Sequence, residues 1–185
     1  MTSARPELKV AVVMRRERIT GAMSRWQSWR WLPSEVLADE GTFGEAARLL
    51  YKDDHEERWL HPGYGVELFG DDPEGYYLNA SAEAPCWFVL WRMQEHSDPV
   101  QEALARPVMV SLSYADAARW LDAQETVEQL AAPPEVVQWL RAFVAEHPVA
   151  EQKRRRRPQS FRALNERFSE PSGTDGPKAQ GDSHG

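Results

Sequence analysis

The sequence predicts an α+β domain: an antiparallel β-sheet in a meander, open or partly closed into a barrel, then two C-terminal helices and a disordered basic tail. Three observations carry that reading. The run Cys86-Trp87-Phe88-Val89-Leu90-Trp91 is apolar on both of its faces, as a central strand must be. Several other short runs alternate apolar and polar residues and are joined by polar or Gly/Pro connections. Strong helical periodicity appears only after them, and strands followed by helices are the signature of this class.

Taken in order, residues 1–7 read as a disordered leader. Lys9 to Arg16 is the first strand, with Val10, Val12 and Met14 on one face. The aromatic segment Arg25 to Leu32 reads as the second. It continues past Pro33 to Leu37, with the proline placing it at an edge or a bulge. Thr42 and Glu45 fit a capping box, and Phe43, Ala46, Ala47, Leu49 and Leu50 suggest a short helix. A charged loop, Lys52 to Arg58, then leads to a strand from Tyr64 to Phe69.

Asp71 to Gly75 reads as a turn into a hairpin whose arms are Tyr76–Ala80 and Cys86–Trp91, joined by residues 81–85. With Tyr64–Phe69 these make a three-strand meander. Residues 94–106 form a loop holding a possible helical turn, and Pro107 to Leu112 is a further strand. Ser113 caps a helix over Tyr114–Gln124 whose buried stripe is Ala117, Trp120 and Leu121. Pro133-Pro134 opens a second helix carrying Val136, Val137, Leu140, Phe143, Val144 and His147 at helical spacing. The globular domain is therefore expected over residues 8–149, with about six strands before two helices, and residues 150–185 as a largely disordered tail.

Charge divides along the same line. Residues 1–150 hold 14 Lys/Arg against 24 Asp/Glu, a charge of −10, whereas residues 151–185 hold 8 against 5, a charge of +3. An acidic body disfavours nonspecific nucleic-acid binding, so polyanion contact would fall to Lys153, Arg154, Arg155, Arg156 and Arg157, with Arg162 close behind. No run approaches the length of a membrane span, and the leader lacks the apolar core of a secretion signal. The expected location is cytoplasmic.

The single cysteine, Cys86, allows no internal disulfide and no thiolate-ligated metal centre within one chain. As a site it is either a reactive thiol or a small core residue beside Phe88, and core placement is the commoner role of a lone cysteine. Asp53, Asp54, His55, Glu56, Glu57 and His61 are metal-ligating types without the spacing of any known metal motif, which fits a solvated loop. His96 and His147 are explained by a loop and a helix end. No phosphate loop, nucleophile elbow or dinucleotide fingerprint is present, so neither catalytic residues nor a cofactor are indicated. Eight tryptophans in 185 residues is a high count. Trp29, Arg30 and Trp31 could form a stacking surface for a partner, or the indoles could simply fill the core; Trp26 lies in opposite phase.

The order of VVMRRERI, RWQSWRW, GVELFGDDPEGYYLN, FVLWRM, VSLSYADAARWLDAQETV, PPEVVQWLRAFVAEH and KRRRRPQSF resembles an uncharacterised proteobacterial family encoded among the genes of molybdenum formate dehydrogenases. The resemblance covers residues 10–162 and assigns no catalytic residue. It implies a non-catalytic accessory or adaptor protein in assembly, maturation or regulation of formate dehydrogenase. The partner would be a dehydrogenase subunit or a cofactor-insertion factor, contacted through Trp29, Arg30 and Trp31 and the Lys153–Phe161 segment. Two alternatives stand beside it: sulfur or molybdenum-cofactor handling through Cys86, and nucleic-acid binding by the tail.

Overall fold

The computed structural model describes residues 6–94 and 102–149. The chain divides into two units, Met1–Val149 and Ala150–Gly185. The described residues belong to the first of these, and the tail expected from residue 150 onward lies outside them.

The fold is α+β, built from two open antiparallel sheets rather than one. The first has four strands in the order β2-β1-β4-β3. They are β1 (Glu7–Arg18), β2 (Trp29–Ala38), β3 (Arg48–Lys52) and β4 (Glu56–Glu67). The second has three in the order β6-β5-β7, namely β5 (Cys86–Gln94), β6 (Leu104–Ser111) and β7 (Thr126–Ala131). Helices α1 (Pro73–Ala80), α2 (Tyr114–Asp122) and α3 (Pro134–Glu146) complete it.

Strand β1 lies inside its sheet and is buried on both faces from Val10 to Met14. Val10, Val12 and Met14 enter the main core with Val66, Trp87, Val89, Leu112, Leu140 and Phe143, which joins the two sheets and α3. Ala11 and Val13 face the other way, where Leu60, Leu37 and Phe43 cover them. The expected central strand is β5. Its second face, Cys86 and Phe88, is closed by α2 through Ala117, Tyr114 and Trp120. Pro33 falls on edge strand β2, where the register against β1 slips between Val13 and Met14, as a residue without a backbone donor requires.

Four expectations need correction. Residues 43–50 form no helix. Gly41 and Gly44 take positive φ values (+89° and +76°) that interrupt any helix there, and Leu49 pairs with Trp59 in the β3–β4 hairpin. Strand β4 starts at Glu56 rather than Tyr64, so only Asp53–His55 turns the hairpin. Asp53 closes that turn by accepting from the His55 and Glu56 amides at 2.8 and 2.7 Å.

Tyr76–Ala80 is helix, not strand, and the three-strand meander does not exist. Pro73 occupies the first turn of α1, and the helical phase buries Tyr76, Asn79 and Ala80 while exposing Tyr77 and Leu78. A strand would have alternated them. Finally, β7 lies between the last two helices, where its sparse apolar residues, Val127 and Leu130, gave little signal, and β6 already begins at Leu104.

The two later helices form as their periodicity demands. Ser113 caps α2 by accepting from the Ala115 amide, and α3 buries Val136, Leu140 and Phe143. Within the expected α2 stripe, Leu121 is an exception at 57% exposure, and Gln124, at φ +62°, lies beyond the helix end. His147 ends α3 stacked on Phe143, with ring centroids 4.2 Å apart.

Candidate functional site

Where β2 runs beside the end of β1, the register places Arg16 opposite Trp31 and Arg18 opposite Trp29. Residues two apart on a strand share a face, so the two indoles and the two arginines lie together on one face of the sheet. The Arg16 guanidinium carbon is 4.7 Å from the Trp29 ring centroid and 5.9 Å from that of Trp31, and Arg18 is 5.7 Å from Trp29. These separations are those of cation–π pairs.

The row continues across the sheet, because Arg16 is also opposite Glu57 on β4, which is opposite Lys52 on β3. Glu57 Oε2 lies 3.5 Å from Arg16 and 3.6 Å from Lys52. Glu57 Oε1 accepts from the Trp59 indole at 2.6 Å. Glu102, just before β6, reaches Arg16 at 2.6 Å. A charge nearly withdrawn from water is thus held on both sides, which is the condition for retaining it.

Against this row stands Trp91 of β5. Trp29, Trp31 and Trp91, with Arg16, Arg30 and Met93, line an open cleft of about 580 Å³. Among the described residues, two donors on its walls, the Trp91 indole N–H and Arg16 Nε–H, are buried without an acceptor. Arg30 is held by an ion pair to Glu17. The structure therefore brings Trp29, Arg30 and Trp31 together at one place, with Trp29 and Trp31 half-buried. Trp26 is 87% exposed beyond a 3₁₀ turn, outside the cleft. Lys153, Arg154, Arg155, Arg156, Arg157 and Phe161 lie outside the described residues, as does His96.

A second cleft, of about 210 Å³, opens on the other side of Trp31, between β4 and β6. His61, Tyr64 and Arg106 meet there, with Trp59 as a further wall. Burial, with the Arg106 charge adding to it, pushes the His61 imidazole down to about 4. At neutral pH its ring is therefore uncharged. Burial pushes the Tyr64 phenol up, against a smaller opposing effect of a hydrogen bond from Arg106. Tyr64 donates its own hydroxyl to the Pro107 carbonyl at 2.8 Å.

Cys86 is only 7% exposed, packed between Phe88 and Ala117, and burial raises its thiol pKa. A thiol so placed is a weak nucleophile. Among the described residues no group of three or more His, Cys, Asp or Glu is arranged to hold a metal ion. Asp53 and His55 are turn residues, Glu57 is held by Arg16, Lys52 and Trp59, and His61 lines the second cleft. Residue-type reasoning passed over Arg16, Trp91, Tyr64 and Arg106. The alternation Glu57-x-Trp59-x-His61 was the available signal that β4 begins early and presents these side chains to one face.

The described residues thus form an α+β domain of two antiparallel sheets with aromatic clefts where the sheets meet. The chain belongs to the family described as protein of unknown function DUF3305, which matches residues 9–157. No curated protein and no solved structure shows a significant match to it. No helix among the described residues is long and apolar enough to cross a membrane.

Proposed function

We propose that this is a non-catalytic accessory protein. It binds a protein partner in the assembly, maturation or regulation of molybdenum formate dehydrogenase, and the Trp29–Trp31–Trp91 cleft is its docking site. The observation that supports docking is the cleft itself: three indoles around a stacked guanidinium, with two buried donors that lack acceptors among the described residues. Trp and Arg are the residue types that dominate interface energies, and their unpaired N–H groups suit backbone carbonyls or a carboxylate of an inserted segment. The link to formate dehydrogenase is supported by the sequence resemblance. The basic segment Lys153–Arg157 adds charge that speeds encounter, while the aromatic cleft supplies affinity.

The test is recovery of partners from a bacterium making formate dehydrogenase, using the full chain, a Trp29→Ala/Trp91→Ala variant and a chain ending at Ala150, at matched salt. The wild type should retain a dehydrogenase subunit or cofactor-insertion protein. The double variant should lose it, and the shortened chain should lose it increasingly as salt rises. Equal recovery by wild type and the tryptophan variant would remove the cleft from the proposal. Recovery of unrelated proteins alone would remove the dehydrogenase.

A further inference from the structure

The smaller cleft is independent of the docking surface in its chemistry, although Trp31 forms a wall of both. We propose that it is a binding site for a small one-ring carboxylic acid, with Arg106 and His61 holding the carboxylate and Trp31 and Trp59 flanking the ring.

Arg106 is the centre of this assignment. Its neighbour across the strands, Arg92, is committed to Glu125 by a two-pronged ion pair, with Nε donating at 2.9 Å. Arg106 has no carboxylate partner among the described residues. It lines the cleft beside Tyr64, whose hydroxyl is committed to the Pro107 carbonyl at 2.8 Å. A guanidinium uncommitted to a carboxylate and set in the cleft beside a buttressed tyrosine presents the fork that a planar carboxylate accepts.

His61 faces the same space from β4 and has no hydrogen-bond partner among the described residues. As a neutral ring it still offers one N–H to an anion. Among the described residues, the charged and titratable groups around it are Arg106 from β6, Tyr64 from its own strand and the exposed Glu45 on the loop before β3. Glu45 lies on the rim in solvent, where its repulsion toward a bound anion is screened. A volume of about 210 Å³ suits one ring with a short polar group, and indole faces suit a flat apolar body. The site thus combines an apolar wall with few convergent polar groups, the usual make-up of a small-molecule pocket.

Benzoate and its neutral isostere benzamide, titrated into the full chain, test the proposal by calorimetry and by the imidazole resonance of His61. Benzoate should bind with a Kd on the order of 1 mM or below and shift the His61 signal, whereas benzamide should bind roughly tenfold more weakly or not at all. Arg106→Gln should weaken benzoate by about tenfold or more while leaving benzamide unchanged, as loss of a charge-assisted pair requires. Should Arg106→Gln fail to fold, the comparison of the two probes on the wild-type chain still decides. Equal affinity for both probes, absence of benzoate binding, or unaltered benzoate affinity in a folded Arg106→Gln chain would each overturn the assignment.

Discussion

Asn79 and Cys86 exchange hydrogen bonds head to tail: the Asn79 amide donates to the Cys86 carbonyl at 2.8 Å, and the Cys86 amide donates back to Asn79 Oδ1 at 3.0 Å. The same Asn79 nitrogen donates to the Leu112 carbonyl, also at 2.8 Å. A side chain wholly withdrawn from water therefore ties the end of α1 to the start of β5 and the end of β6. Both donors and the acceptor of the amide are used, which is why it can be buried.

Removing that amide strands three backbone groups in the interior. Asn79→Ala should cost about 2–4 kcal/mol, since each orphaned group costs about 1–3 kcal/mol and water re-solvates part of the loss. Asn79→Asp should be at least as damaging at neutral pH, because a carboxylate would face two carbonyl oxygens. Denaturant melts of the two variants check this, and a cost below about 0.5 kcal/mol for either would show that the bridge does not hold these elements.

Gly75 gives a prediction whose sign opposes intrinsic propensity. On an isolated helix, replacing glycine by alanine is favourable by about 1 kcal/mol. Here an added Cβ would stand 2.2 Å from Ser113 Oγ and 2.9 Å from the Ala115 amide nitrogen. Those are the two atoms of the cap that starts α2. Gly75→Ala should therefore lower stability by about 2 kcal/mol or more, from overpacking and loss of the cap. The loss should be visible as a lower midpoint in urea; a stabilised variant would mean the helices separate without cost.

The parts of the fold legible in the sequence are those where a single local rule governs. β5 betrayed itself by being apolar on both faces, β2 by its edge proline, and α2 and α3 by caps and stripes at helical spacing. What stayed hidden was decided by distant partners. The helix α1 looked like a strand because Tyr76 and Tyr77 are β-formers beside an apolar Leu78, and only the burial of Tyr76 and Asn79 against other elements reveals its phase. Leu49 and Leu50 looked helical until two positive-φ glycines and pairing with β4 were on the page. At the site, Trp29 to Trp31 were recognised for their side chains. Arg16, Trp91 and Arg106 were not, since each gains its meaning from a cross-strand or cross-sheet neighbour some tens of residues away.

His61 supplies a pH dependence. Its folded pKa of about 4 lies below the ordinary 6.5, so the unfolded chain takes up the proton first as pH falls. Its contribution is complete above 6.5, declines as the pH drops through the window, and is gone below about 4. The full shift corresponds to about 3 kcal/mol across that window, and solvent screening of a ring only partly buried makes the loss smaller. A His61→Gln chain should lose less stability than wild type between pH 7 and pH 4, and parallel curves would contradict the buried, neutral imidazole.

Cys86 yields a test of exposure and reactivity. With its thiol pKa raised by burial and its sulfur 3.9 Å from Gln129 Oε1, it should react with a disulfide reagent far more slowly in the folded chain than in denaturant, by about 100-fold or more. Cys86→Ala should cost about 1 kcal/mol for a small lost volume and leave partner recovery intact. Rapid labelling of the native protein would return sulfur chemistry to consideration.

The last prediction concerns the pair beneath the aromatic cleft. Arg16 and Glu57 have side chains only 12% and 8% exposed. Glu57 also accepts from Trp59 and approaches Lys52, so removing Arg16 leaves a buried carboxylate with a single, more exposed cation at 3.6 Å. Arg16→Ala should therefore cost about 3 kcal/mol, close to the usual penalty for breaking one side of a buried pair. The double change Arg16→Met/Glu57→Gln should recover much of that loss, because neither charge is then buried, while Met still packs between the indoles. Restored stability without restored partner binding would assign the guanidinium to recognition. Restored stability together with full binding would assign it to holding Trp29 and Trp31 in place. Thermal melts and the recovery assay on the same three proteins separate these outcomes, and an Arg16→Ala chain as stable as wild type would show that the row from Trp31 to Lys52 is not a cooperative unit.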